Sequence, residues 1–172
     1  TTATYNPNNQ TSDYATPTTQ AYGISFSNVT ATSLRSTWTN GNGTSRAMFI
    51  KSATTGSPSP VNNTAYSADT TFGSGTEAGT GWYCVYNGVG SAVNISGLSP
   101  NTAYRLMVCD YNGSSGYQKY KTSTAINNPI NQTTDYAVPT TQASSISIST
   151  VTDSSFFATW TIGNGSNRAV FI

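Results

Sequence analysis

The feature that most narrows the folds open to this chain is a long internal repeat. The segment Asn6 to Ala21, NPNNQTSDYATPTTQA, returns from Asn128 to Ala143 as NPINQTTDYAVPTTQA. The offset is 122 residues, and residues 1–50 laid on 123–172 without a gap are identical at 31 of 50 positions. Trp38 meets Trp160, the GNG at 41–43 meets the GNG at 163–165, and Arg46 meets Arg168. A sequence repeat of this length marks a repeated structural unit. The spacing predicts one whole unit over 16–137. Residues 1–15 are expected to be the last strand and joint of a preceding unit, and 138–172 the opening strands of a following, truncated one.

The unit is built from strands. Thr, Ser, Asn and Gly make up half the chain, whereas Leu, Glu, Lys, Met, Gln and Arg are too few to furnish several helices. Charged residues are only 8% and aromatics 12%, a balance that argues against disorder and supplies large side chains for a core. Short runs with two-residue alternation recur between turn signals. Ile24 and Phe26 share one face of 23–30. Leu34, Ser36 and Trp38 share one face of 33–39, and the Asn-Gly run 40–43 that follows is turn chemistry. RAMFIK at 46–51 is apolar on both faces, as a central strand would be. Further strands are expected at 82–86, 91–95, 104–111 and 117–125, about seven in all, which predicts an all-β, two-sheet sandwich. The segment 126–143, with its two prolines, reads as the joint between units.

GLSPNTAYRLMV at 97–108 carries the most specific local signature. Its order Leu98-x-Pro100-x-Thr102-x-Tyr104-x-Leu106-x-Val108 resembles the E–F corner of a fibronectin type III domain, in which a tyrosine hydroxyl closes the corner. Trp38 resembles the second-strand tryptophan of that family. The whole 122-residue unit resembles the fibronectin-III-like tandem repeats of large secreted bacterial surface and filament proteins. The resemblance implies a non-catalytic structural role, an extracellular or cell-surface location, and copies of the same unit as partners. Asp69-Thr70-Thr71 likewise resembles a short bacterial O-glycosylation motif, which implies sugar on Thr70. Extra length between 52 and 88 departs from an ordinary type III domain.

The chain offers little for chemistry. It has no His, which removes the Ser-His-Asp relay and the usual zinc set, so no metal or cofactor is expected. Seven basic against six acidic groups leave no footprint for nucleic acid, and no run of 18 apolar residues could insert in a membrane. The acids are not paired as a glycosidase requires. Cys84 and Cys109 both fall in expected strands. An even count in a secreted chain suggests a disulfide, closing a loop worth roughly 3 kcal/mol; the alternative is two unpaired small apolar side chains. Cys109 alternates with Leu106 and Val108 and so lies off the main core face. Tyr66, Phe72, Trp82 and Tyr86 could form an aromatic platform for sugar, or pack the extra segment against the sandwich. Sequons at Asn28, Asn62 and Asn94 are further candidates for glycans. Three functions follow. The first is a building block of an extracellular fibre of tandem sandwiches. The second is a carbohydrate-binding adhesive module, and the third an accessory domain of a secreted hydrolase.

Overall fold

A computed structural model describes residues 13–172. Most of the expected 1–15 fragment therefore lies outside the described residues. The chain divides into two units, the first running to Asp135 and the second from Tyr136 to Ile172. Every regular element among the described residues is a β-strand.

The first unit contains β1 (Tyr22–Ser27), β2 (Leu34–Thr39), β3 (Ser45–Lys51), β4 (Tyr83–Gly88), β5 (Ala92–Ile95), β6 (Ala103–Asn112), β7 (Lys119–Tyr120) and β8 (Ile130–Thr133). One sheet has the order β1-β2-β5 and the other β4-β3-β6, with β7 and β8 both pairing to β6. All pairings are antiparallel. Two sheets face one another, and β5 leads into β6 by crossing between them, as in an immunoglobulin-like sandwich. The core between them holds Ile24, Leu34, Trp38, Met48, Val93, Ile95, Leu98, Tyr104, Leu106 and Val108.

A second apolar layer lies on the other face of the larger sheet. Ala47, Phe49, Cys84, Met107, Cys109, Tyr111 and Tyr120 pack there against Tyr66, Ala78 and Trp82 from the long segment between β3 and β4. This cover explains why β3 is apolar on both faces. Met48 and Ile50 point into the main core, while Ala47 and Phe49 point under the cover. The covering segment forms no long strand, but its backbone is tied down: Ser59 N–H donates to the Ala78 carbonyl at 2.8 Å, Asp69 N–H to Cys84 at 3.1 Å and Phe72 N–H to Ser96 at 2.9 Å.

The last strand differs from the expected 117–125. It is split into the two-residue β7 and the four-residue β8, and part of the expected joint at 126–143 belongs to the sandwich. Asp135 N–H donates to the Thr30 carbonyl at 3.1 Å, so the sandwich is hydrogen-bonded as far as that residue. Between β7 and β8 the side chain of Asn128 takes the place of a strand. Its Oδ1 accepts the Val108 N–H at 3.0 Å, and its Nδ2 donates to the carbonyls of Val108 at 2.8 Å and Ala21 at 2.7 Å. A carboxamide is a peptide group on a short stem, so it can complete a ladder where the backbone cannot.

The second unit is an antiparallel pair, β9 (Ser144–Ser149) and β10 (Phe157–Thr161). It reproduces β1–β2 at the 122-residue offset. Ser25↔Thr37 and Phe26↔Ser36 reappear as Ser147↔Thr159 and Ile148↔Ala158, and the same register irregularity follows. The turn recurs as well: Thr30 Oγ1 meets Ser33 Oγ at 2.8 Å, and Thr152 Oγ1 meets Ser155 Oγ at 2.8 Å.

Candidate functional site

The corner residues come together. The Tyr104 hydroxyl accepts the Ser99 N–H at 2.9 Å and the ring is buried, while Leu98 enters the main core. Pro100 is exposed on the turn, where its ring fixes φ in the connection. Trp38 packs edge-on against Tyr86 with centroids 5.2 Å apart.

The expected disulfide is not formed. Cys84 and Cys109 are free and buried. They stand on β4 and β6, the two strands that flank β3, where Cys84 is opposite Phe49 and Cys109 opposite Ala47. Two inter-strand spacings separate their backbones by roughly 9–10 Å, beyond the reach of a disulfide. The sequence placed both residues correctly in strands but could not show that a third strand runs between them. Burial pushes the Cys84 thiol up to about 12 and that of Cys109 higher still, so both are neutral packing groups.

The four aromatics considered for sugar do not form an exposed platform. Tyr66 and Trp82 are buried under the covering segment, with Tyr66 edge-on to Phe49 at 5.3 Å and to Tyr120 at 5.7 Å. Phe72 packs against Tyr83 and Tyr104, and Tyr86 against Trp38. Tyr66, Phe72 and Trp82 anchor the extra segment, because its otherwise small, polar residues have little else to bury, while Tyr86 packs at the edge of the main core.

Among the candidate modification positions, Asn28, Asn62, Thr70 and Asn94 are all exposed. Three of them, Asn28, Thr70 and Asn94, border one shallow surface depression with Arg35, whose Nη1 donates to Asn94 Oδ1 at 3.2 Å. Asn62 Oδ1 is instead engaged by the Tyr120 N–H at 2.8 Å. The Thr70 turn is pinned by Asp69, whose Oδ1 accepts the Thr71 N–H at 2.7 Å.

Among the described residues no three Cys, Asp or Glu side chains converge. Among them, too, no helix is long and apolar enough to cross a membrane. Among the described residues the buried charge is one pair missed by sequence reading: Arg46 Nε donates to Asp110 Oδ1 at 3.0 Å, with both side chains inside. Asp110 Oδ2 also accepts the Gly41 N–H at 2.9 Å, and Arg46 donates to the carbonyls of Val89 and Gly43. Burial raises the Asp110 carboxyl against the lowering pull of Arg46. A Cβ on Gly41 would run into Asp110 and the Thr19 carbonyl, which explains the glycine. The available signal was the recurrence of Gly41 and Arg46 at Gly163 and Arg168.

The second unit presents the same side chains without their coverings. Ile146, Ile148 and Phe171 are 73%, 58% and 91% exposed, whereas their counterparts Ile24 and Phe49 are buried and Phe26 is partly so. Ile146, Ala158, Trp160, Val170 and Phe171 line an open apolar groove together with Arg168.

No protein-family model matches this sequence, and no curated protein does. Among solved structures, the chain is similar to the FN5 domain of Drosophila Lar, with 13% identity over 70% of this chain and 99% of that one, at a TM-score of 0.41. It is also similar to titin domains A168–A170, with 16% identity over 67% of this chain and 32% of that one, at 0.39. A fibronectin type III domain of the human KIAA0970 protein shows 13% identity over 64% and 80% of the two chains, at 0.35. The sandwich itself is defined by its own strand order and core.

Proposed function

We propose that this chain is a structural segment of an extracellular fibre made of tandem sandwich repeats, with no catalytic role. The observation that carries the reading is the duplicated strand pair. A 122-residue period returns not only residues but register, irregularity and turn hydrogen bonds. Linear repeat proteins are built in this way, each unit contacting chiefly its neighbours. The Ser/Thr-rich, sparsely charged surface and the exposed Thr70 turn suit a glycosylated coat that maintains solubility where net charge is only +1. Mass spectrometry of the intact natural material tests both parts. The expected result is a polypeptide containing several 122-residue periods and carrying hexose-type mass increments. A natural chain of 18.1 kDa, monodisperse as a monomer in solution, would overturn the reading.

A further inference from the structure

We propose that Asn40–Gly41 is a self-modifying site, at which the Gly41 nitrogen closes on the Asn40 side chain and converts it, without an enzyme, to an aspartyl or isoaspartyl residue. The inference does not depend on the tandem-repeat reading. Three observations carry it.

The first is a contrast among like pairs. Asparagine precedes glycine five times, at Asn40, Asn42, Asn87, Asn112 and Asn164. A glycine leaves its own nitrogen unshielded, and ring closure then needs a carboxamide free to swing onto it. Four of the five carboxamides are held at both ends. Asn42 accepts from the Thr19 N–H at 2.8 Å and donates to Thr18 Oγ1 at 2.7 Å. Asn87 accepts from the Tyr111 hydroxyl and donates to the Tyr66 carbonyl. Asn112 accepts from the Thr44 N–H and donates to the Ala15 carbonyl. Asn164 accepts from the Thr141 N–H and donates to Thr140 Oγ1. Asn40 is exposed, and its side chain makes no hydrogen bond among the described residues.

The second is the attacking nitrogen. Gly41 N–H donates to Asp110 Oδ2 at 2.9 Å, and among the described residues it is the one of these five glycine N–H groups that meets a carboxylate. An N–H bond lies in its peptide plane and attack comes from above that plane, so the contact leaves the attacking face open. The carboxylate draws off the proton as the new bond forms. Burial raises the Asp110 carboxyl, which makes it a better proton acceptor. The third is the internal repeat. Gly41 and Asn42 recur as Gly163 and Asn164, but position 40 recurs as Ile162, so the turn does not require an asparagine there.

The step balances with water alone. The Gly41 nitrogen bonds to Asn40 Cγ, its proton passes to Asp110 Oδ2, and the carboxamide nitrogen leaves as ammonia carrying that proton. Water then opens the cyclic imide. Opening at one carbonyl gives aspartate in an unaltered main chain, and opening at the other gives isoaspartate, in which the main chain runs through the former side chain. Either product adds one negative charge, which takes the net charge from +1 to zero. A chain so marked records its own age.

The test ages the full chain at neutral pH and body temperature and digests it briefly under mildly acid conditions. The tryptic peptide 36–46 contains both Asn40 and Asn42, and fragmentation tells them apart. Asn40 should convert roughly tenfold faster than Asn42, which must first give up two hydrogen bonds. The synthetic peptide 36–46, aged in parallel, should convert the two at similar rates, so that the preference belongs to the fold. Asp110→Asn keeps an oxygen against the Gly41 N–H but takes up no proton, and it should slow Asn40 towards the Asn42 rate. Because Asp110 also holds Arg46, the native comparison of Asn40 with Asn42 decides the matter whether or not that variant folds. Asn40→Ile, the residue at 162, should abolish the early acid shift in isoelectric point. Equal rates at Asn40 and Asn42 in the folded chain overturn the proposal. So does the same preference in the free peptide, a folded Asp110→Asn chain that ages at the native rate, or an Asn40→Ile chain that turns acid as fast as the native one.

Discussion

Replacing Asn128 by Ala should cost about 3 kcal/mol, and the figure follows from three hydrogen bonds made by one buried carboxamide. The side chain is fully buried. It satisfies the Val108 N–H and carbonyl and the Ala21 carbonyl at 2.7–3.0 Å. Removing it orphans one buried donor, which costs roughly 1–3 kcal/mol, and weakens two carbonyl acceptors by ~0.5–1.5 kcal/mol each. Entry of a water into the vacated space would return part of this. At a urea m-value of about 1.5 kcal/mol/M the midpoint should fall by roughly 2 M with the slope unchanged. Tryptophan emission is a suitable probe, because Trp38 and Trp82 are buried in the two apolar layers of the first unit. Asn128→Asp separates geometry from chemistry. It keeps the shape but turns the two donated bonds into oxygens facing carbonyl oxygens, so it should be at least as damaging as Ala. A loss below 1 kcal/mol for Ala, or an Asp variant as stable as the native chain, would refute the argument that the amide stands in for a strand.

Tyr104→Phe should cost about 1 kcal/mol in the same urea assay, since the Ser99 N–H loses its acceptor while the ring remains packed; an unchanged midpoint would remove the corner. Asp110→Ala should cost about 3–5 kcal/mol by leaving Arg46 buried without its anion, and a loss under 1 kcal/mol would contradict the pairing. Neither thiol should react with a disulfide reagent at pH 8 in the native state, and both should react in guanidinium, so a protein with no free thiol after unfolding would contradict the separation by β3. The same thiols set a pH dependence. Their native pKa values lie above those of the unfolded chain, so their contribution is complete below about pH 8.5 and is lost as pH rises toward 12 and beyond. Stability measured from pH 8 to 11 should fall, with a slope approaching ~1.4 kcal/mol per pH unit for each thiol, and a flat profile would contradict their burial.

The fold was largely legible because alternation is local. Leu34, Ser36 and Trp38 do share a face, and Cys109 does lie off the main core. What alternation cannot reveal is which strands are neighbours. Cys84 and Cys109 looked pairable in sequence, yet the order β4-β3-β6 keeps them apart. The aromatics at 66–86 were ambiguous for a similar reason. An aromatic on a polar segment can face solvent or a sheet, and the decisive partner, the outer side of Phe49, is not adjacent in sequence. Asn128 was invisible because its function replaces backbone pairing, for which no periodicity exists. The buried pair of Arg46 and Asp110 is 64 residues apart in sequence, and only the repetition of Gly41 and Arg46 at Gly163 and Arg168 hinted at it.

The duplicated strand pair also places two nearly matched hairpins in very different surroundings within one molecule. β1–β2 is sealed by a second sheet and joined by β5 at its edge, whereas β9–β10 pairs with no further strand among the described residues. An isolated two-stranded ribbon is marginal in water. Amide hydrogens at Phe26, Ser36 and Thr37 should therefore exchange on the timescale of global opening, and those at Ile148, Ala158 and Thr159 by local fraying. The ratio of exchange rates at each matched pair measures how much of a hairpin's persistence comes from its neighbours and how much from its own sequence. The chain thus carries its own internal control for the difference between a strand pair that is merely encoded and one that is completed.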